Sequence, residues 1–390
     1  MPQKARNVTA GLVFSRELAA YDFGPHHPMR PVRLELTADL IEACGLLGEA
    51  APVAAPRAAT REELLRAHSA EYLDAVARAA AGTPDFARGL GHSDNPIFPR
   101  MDEVSALISG GSIVAVEKVV SGEWDTAFAI AGGLHHAMRG RASGFCILND
   151  AAVAIHAALA RGIERVLYVD IDAHHGDGVQ QIFYDDPRVL TISIHESGRS
   201  LFPGSGFPHE IGAGAGEGYS VNVPLEPFSS DGAFLEALER VVPPLARAFG
   251  PELIVTQNGC DAHFEDPLTH LTITLEAHAH AVAMLRSLAH EVSGGKLVAL
   301  GGGGYSIFRV VPLAWTRAFA ILADRPLPDA VPERWRERCR AAGASSPPAA
   351  FVDEEPGIDA PGTLEAARGT VRWIETNIFP RHGALIAEGS

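Results

Sequence analysis

Residues 170 to 178 read Asp-Ile-Asp-Ala-His-His-Gly-Asp-Gly, which places three carboxylates and two imidazoles within nine residues. Carboxylate oxygens and imidazole nitrogens bind Zn²⁺ at about 2.0 to 2.2 Å, and the same mixture admits Fe²⁺ or Mn²⁺. The run follows Arg165-Val166-Leu167-Tyr168-Val169, whose β-branched and aromatic residues predict a strand. Alternate side chains of extended backbone share a face, so Asp170, Asp172 and His174 can point the same way if that conformation persists. A polar strand-to-helix turn with an Asp cap accounts for the same residues, and Gly176 and Gly178 suit either explanation.

Three further segments carry groups that a hydrolytic metal site needs. Gly132-Gly133-Leu134-His135-His136 follows the strand-like stretch 126–130 and supplies adjacent imidazoles. One of them can act as general base toward a metal-bound water that attacks a carbonyl, because histidine titrates in the right range. Asp170 and Asp177 are available to fix the imidazole tautomers. In a chain of 17 histidines, a loop that merely happens to be histidine-rich is the plainer alternative. Asp261, in Gln257-Asn258-Gly259-Cys260-Asp261, is the candidate third ligand, or else a turn residue ahead of Asp266-Pro267. Four glycines, 301 to 304, precede Tyr305. They allow close backbone approach, and the tyrosine hydroxyl can donate to the oxyanion of a tetrahedral intermediate. Taken singly, such a run marks a tight turn and such a tyrosine packs in a core.

The elements that must position these residues follow an α/β pattern. Strand-like runs at 12–14, 126–130, 166–169, 189–194, 253–256 and 297–300 alternate with helix-like stretches at 33–44, 101–120, 150–160, 233–248, 275–291 and 312–323. This predicts a mostly parallel sheet covered by helices. Loops are expected at 82–99, 196–218, 259–270 and 301–305. His135, His136, Asp172, His174, Asp261 and Tyr305 all fall just after strands, the edge at which open parallel sheets bind ligands. Nothing divides the first 325 residues, so residues 1–325 are expected to form one catalytic domain. Proline, alanine and glycine dominate around 341–350 and 354–362, so the 326–390 extension is expected to be loosely structured, with a terminal helix near 364–378 that docks back.

Composition narrows the function further. With 390 residues and 47% apolar content, the chain can bury a sizeable core. A net charge of -16 opposes non-specific nucleic-acid binding and favours basic or neutral substrates. Cys44, Cys146, Cys260 and Cys339 are far apart and form no C-x-x-C pair, which argues against a disulfide framework or a cysteine zinc site. The opening Met1-Pro2-Gln3-Lys4-Ala5-Arg6-Asn7 shows no signal-peptide core, and no apolar run approaches a membrane span, so the expectation is a cytoplasmic, non-membrane protein.

Together these residues resemble the zinc-dependent histone deacetylase family of the arginase-deacetylase fold, in particular its class I-like bacterial acetoin-utilization branch. The resemblance is carried by His27-Pro28-Met29-Arg30-Pro31, 132–136, 142–150, 168–178, Leu201-Phe202-Pro203-Gly204-Ser205-Gly206, 259–267 and 301–305, in the family's order over roughly residues 10 to 320. It implies a three-layer fold with an eight-stranded sheet, and Zn²⁺, or Fe²⁺, held by Asp172, His174 and Asp261. It implies His136 as general base backed by Asp177, His135 as its partner backed by Asp170, and Tyr305 as carbonyl polariser. Phe145 and Phe202 match the aromatic walls of an acyl-lysine tunnel, with Gly144 beside them. Leu268 matches a rim position, Asp94 a carboxylate that holds the substrate backbone, and Arg33 an arginine lining the acetate exit. Structural K⁺ is implied near Asp170, Asp172, His174, Ser193 and Ile194, and again near Phe183, Asp186, Val189 and Tyr219. The implied reaction removes acetyl or other acyl groups from protein lysines, with an acetylated metabolic protein such as acetyl-CoA synthetase as the expected partner.

Three rivals are weighed against that reading. A binuclear ureohydrolase of the arginase kind shares Asp172-Ala173-His174 but wants Asp at positions 176 and 263, where this chain has Gly176 and His263. An acetylpolyamine amidohydrolase would use the same chemistry, and the acidic charge attracts polyamines as well as lysine-rich proteins. A non-catalytic acyl-lysine or metal binder should lack Tyr305, His136 or a ligand, and all of these are present.

Overall fold

The computed structural model describes residues 9–353 and 360–385. Eight strands form one sheet: β1 (Ala10–Val13), β2 (Val53–Ala54), β3 (Thr126–Ala129), β4 (Val166–Asp170), β5 (Val189–Glu196), β6 (Ser220–Leu225), β7 (Leu253–Gln257) and β8 (Leu297–Leu300). Their order is β2-β1-β3-β8-β7-β4-β5-β6, and every pairing is parallel. The strands in the middle of the sheet are buried throughout, as expected of parallel strands covered on both faces.

The helices are α1 (Val32–Ala43), α2 (Arg61–Leu65), α3 (Ala70–Ala80), α4 (Met101–Val120), α5 (Asp150–Leu159), α6 (Asp177–Ile182), α7 (Asp231–Phe249), α8 (Leu275–Val292), α9 (Val310–Ala323), α10 (Glu333–Ala341), α11 (Thr363–Asn377) and α12 (Phe379–His382). They pack in two groups: α4 joins α3 and α5, while α1, α9, α8, α7 and α11 follow one another in a row. With the sheet between them, these groups make three layers around a single core. Among the described residues no helix is long and apolar enough to cross a membrane.

Order in this register brings β3, β8, β7 and β4 side by side at the centre. The segments following these four strands carry His135 and His136, Tyr305, Asp261, and Asp172 with His174. Sites 170 residues apart in sequence are therefore neighbours at one edge of the sheet.

Two elements differ from expectation. Strands β2 and β6 lie at the two edges of the sheet, where the sequence shows no apolar run. In the stretch expected to be loose, α10 packs on α1: Trp335 is fully buried and its indole N–H donates to the Leu36 carbonyl at 2.8 Å. The docking helix is present as α11, against α7 and β6. Residues 354–359 of the proline- and glycine-rich stretch and the amino-terminal Met1 to Asn7 lie outside the described residues.

Candidate active site and metal centre

Strand β4 ends at Asp170, and the chain then turns so that Asp172 and His174 face the end of β7. One donor atom each from Asp172, His174 and Asp261 lie within 4.8 Å of one another, all on buried residues. His174 Nδ1 is 3.1 Å from Asp172 Oδ1 and 3.0 Å from Asp261 Oδ2. The outer oxygens are already occupied. Asp172 Oδ2 accepts from Gln257 Nε2 (2.6 Å) and the Gly303 amide (2.7 Å), and Asp261 Oδ1 accepts from the Ala173 amide (2.8 Å).

Two buried carboxylates at this distance repel each other and resist desolvation. Burial and the adjacent Asp172 charge push Asp261 up to about 6. Among the described residues no lysine or arginine forms an ion pair with either aspartate. Two carboxylate oxygens and one imidazole nitrogen converging with no lysine or arginine between them fit a divalent cation, and the set matches the three-protein-ligand pattern of hydrolytic zinc.

Above this triangle stand two histidine–aspartate pairs. His135 Nδ1 donates to Asp170 Oδ2 at 2.8 Å, and the Tyr168 hydroxyl donates to the same oxygen at 2.7 Å. His136 Nδ1 donates to Asp177 Oδ1 at 2.7 Å. The two Nε2 atoms are 3.0 Å apart. Burial disfavours charge on His135, but the carboxylates of Asp170 and Asp172 outweigh it and push the ring up to about 9. Burial and the neighbouring His135 and His174 rings hold His136 well below the usual histidine range. A charged His135 and a neutral His136 thus face each other through their Nε2 atoms, and burial pushes Asp177 up to about 6 behind His136.

The aromatic residues border the same cleft. Phe202, 43% exposed, packs edge-on against His136 at 5.0 Å between ring centroids, and Phe145 against Tyr305 at 5.7 Å. Gly144 lies between them at φ +50°, where a Cβ would sit 2.4 Å from His136 Cδ2 and 2.8 Å from Phe202 Cε1. Phe145 also stands in the left-handed region, at φ +66°. Tyr305 is half-buried, and its hydroxyl has no hydrogen-bond partner among the described residues. A narrow cavity of about 10 Å³ runs past Tyr305, His136 and Asp172 to Met29, Leu134 and Cys146. Roomier clefts exist, such as one of about 610 Å³ between α2, α3 and α4, but none of the site's side chains lines it.

The remaining expected residues are spread around this centre. Arg33, buried in α1, donates to the Gly304 carbonyl at 3.0 Å and lies over Trp315. Leu268 is partly buried and its amide donates to Asp266 Oδ1 (3.0 Å). Asp94 is exposed, and its carbonyl accepts from His27 Nε2 (3.3 Å), whose ring packs on Phe145. Of the first expected K⁺ group, Asp170, the last residue of β4, is the register partner of Ser193 within β5, next to Ile194. The second group is linked by main-chain hydrogen bonds: Asp186 N–H donates to the Phe183 carbonyl (3.1 Å), Val189 N–H to the Asp186 carbonyl (3.2 Å), and Thr191 N–H to the Tyr219 carbonyl (2.9 Å).

The histone deacetylase domain model matches residues 27–322, three quarters of the chain and every residue of the triangle and the two pairs. The chain belongs to the histone deacetylase family. It is 44% identical to the acetoin utilization protein AcuC of Bacillus subtilis (strain 168) over 342 residues, 86% of this chain and 88% of that protein. It is 39% identical to AcuC of Staphylococcus xylosus over 380 residues, 94% and 98% of the two chains. The crystal structure of a histone deacetylase homologue from Aquifex aeolicus superposes with a TM-score of 0.83 at 31% identity, covering 93% of this chain and all of that one. A histone deacetylase homologue complexed with SAHA gives a TM-score of 0.84 at 32% identity, covering 94% and 99%. The protein is thus a deacetylase-family hydrolase whose fold carries a metal site.

In this family member several supporting residues were not singled out by sequence reasoning. Asp150 accepts from Ser112 (2.6 Å) and from the amides of Gly133 (3.0 Å) and Leu134 (2.8 Å), which fixes the loop that carries both histidines. Asn149 Nδ2 holds the His135 and Ala137 carbonyls. Gln257 bridges Asp172 to the Gly133 carbonyl (3.3 Å). The available signal was a polar residue ending an apolar strand, as Gln257 does, or opening an apolar helix, as Asn149-Asp150 does.

Proposed function

We propose that the protein hydrolyses the amide of N-acyl-lysine side chains, acetyl-lysine first among them, and that Zn²⁺ or Fe²⁺ occupies the Asp172–His174–Asp261 triangle. The observation carrying this reading is the convergence of that triangle, a neutral His136 and an unpartnered Tyr305 hydroxyl beneath an exposed aromatic wall. A divalent ion there supplies polarisation of the amide carbonyl and lowers the pKa of a water.

His136 Nε2 takes the proton of the attacking water and later returns it to the lysine amine that leaves. Asp177 keeps His136 in the tautomer whose Nε2 lone pair faces the site, and its carboxylate stabilises the imidazolium that forms. His135, fixed by Asp170, adds positive charge beside the developing oxyanion. Tyr305 donates to that oxyanion. Phe145 and Phe202 sandwich the alkyl stem of lysine, which is slim and apolar up to its nitrogen. Leu268 at the rim, Asp94 holding the substrate backbone, Arg33 beside the exit and the two K⁺ groups complete the assignment.

An acetylated cytoplasmic enzyme such as acetyl-CoA synthetase is the substrate class to test, since the AcuC relatives are named for acetoin utilization. The deciding experiment compares an acetyl-lysine peptide with N-acetylputrescine on the same enzyme loaded with Zn²⁺ or Fe²⁺. Higher kcat/KM on the peptide supports the proposal, higher kcat/KM on the polyamine reassigns the substrate, and no turnover of either defeats it.

A further inference from the structure

The family match ends at residue 322, yet the chain beyond it returns to the site. Arg317 donates to the Phe351 carbonyl at 2.6 Å, and two residues later the Asp353 carboxylate grips two donors. Its Oδ1 accepts from His263 Nε2 at 2.9 Å, and its Oδ2 from the amide of Leu275, the first residue of α8, at 2.7 Å. The other ring nitrogen of His263 accepts from the Glu265 amide at 3.1 Å. That bond places the imidazole proton on Nε2, facing Asp353, so the contact holds with a neutral ring. Both side chains are nearly enclosed, 3% and 8% exposed.

From His263 the contacts lead inward. The residue lies two positions past Asp261, and its carbonyl accepts from the Asp266 amide at 2.8 Å. The Asp266 carboxylate in turn accepts from the amides of Tyr305 (2.7 Å) and Leu268 (3.0 Å). One turn, 261–268, therefore presents the Asp261 carboxylate, seats the backbone of Tyr305 and is pinned from outside by Asp353.

We propose that Asp353 is a positioning residue for the active site, acting through His263 on the turn that carries Asp261 and braces Tyr305. This role rests on the metal-dependent reading of the site. Without the Asp353 carboxylate, His263 Nε2–H and the Leu275 amide lose their acceptor in a buried setting, and the turn must shift to satisfy them.

The test uses the full chain loaded with one equivalent of Zn²⁺ and reads Zn²⁺ transfer to a chromogenic chelator together with kcat and KM on an acetyl-lysine peptide. Outer partners of a metal site are worth about 10-fold or more, so Asp353→Ala should release Zn²⁺ about 10-fold faster and lose a similar factor in kcat, with KM within about two-fold. His263→Ala should match it, and the double variant should be no worse than the more affected single one. Release and kcat both within about two-fold of the parent in Asp353→Ala, or effects that add in the double variant, overturn the proposal. Should Asp353→Ala fail to fold, Asp353→Asn keeps one acceptor and should give intermediate release; parent-like release in that variant also overturns it. Faster release with no deacetylation by any form, the parent included, would defeat the deacetylase reading and leave the positioning role standing.

Discussion

Replacing Tyr305 by phenylalanine separates chemistry from folding more cleanly than any other change at this site. The hydroxyl accepts and donates nothing among the described residues, whereas the Tyr305 backbone is held by Asp266 and its ring packs against Phe145. Phenylalanine keeps both of those contacts. No hydrogen bond of the fold is lost, so stability should change by no more than about 0.5 kcal/mol, a melting shift below about 2 °C. The hydroxyl's contribution should appear only when an oxyanion forms. Burial, with the carboxylates of Asp261 and Asp172 nearby, holds its pKa well above the tyrosine range, so it is a protonated donor at neutral pH. Removing one such donor costs about 10² to 10³ in kcat, or roughly 3 to 4 kcal/mol at the transition state, with little change in KM. Steady-state kinetics on an acetyl-lysine peptide, alongside thermal melts and metal content of the same preparations, gives the answer. A kcat within about three-fold of the parent would remove Tyr305 from the chemistry, and a large melting shift would show that its hydroxyl serves the fold.

Further outcomes follow from the same geometry. His136→Ala should lower turnover by orders of magnitude while the metal-to-protein ratio, measured by elemental analysis, stays near the parent's, because His136 is outside the triangle. Gly144→Ala adds a Cβ 2.4 Å from His136 Cδ2 at φ +50°; strain and overpacking should destabilise by roughly 2 to 4 kcal/mol in urea melts, with activity lost as His136 is displaced. His68 is buried, its Nδ1 donating to the Met138 carbonyl and its Nε2 accepting from Asn149, and burial pushes it down to about 4 from an ordinary 6.5. Its stabilising contribution, roughly 3 kcal/mol, is present above pH 6.5 and lost as pH falls toward 4, so His68→Gln should flatten the acid side of the stability profile. Gly176→Asp should not create a second divalent-metal site: elemental analysis should find at most one zinc or iron per chain, and two would contradict the packing around Asp170.

What the sequence revealed depended on whether the cause of a structure was local. The inner strands were legible because burial on both faces demands continuous apolar residues, and β8 spans the expected 297–300. Edge strand β6 contains Ser220 and Asn222, which interrupt the apolar run, and Pro224, which an edge tolerates, and β2 is two residues long, so neither leaves an apolar signature. Helix α10 is strongly polar; it is held by Trp335 and Cys339, four residues apart on one face, against a helix 290 residues earlier in the chain. At the site, motif order pointed to the two histidine–aspartate pairs and the triangle, and the geometry brings those residues together. Asp150, Gln257 and Asp353 act through contacts with distant backbone, which no local pattern encodes.

Positions 176 and 263 show why this framework suits one divalent ion rather than two. A Cβ at Gly176 would lie 2.4 Å from Asp170 Oδ2, the oxygen that already receives His135 Nδ1–H and the Tyr168 hydroxyl, while Asp170 Oδ1 receives the Asp172 amide. A carboxylate inserted there would face a buried carboxylate with no vacant donor between them, and like charges so placed cannot both ionise. At 263, both ring nitrogens of histidine are occupied, one by the Glu265 amide and one by Asp353. The space a second ion would need is thus filled by the groups that orient the first ion's surroundings. Paired histidines and paired metals are alternative uses of the same strand ends, and in this chain Asp170 and Asp353 commit them to the histidines.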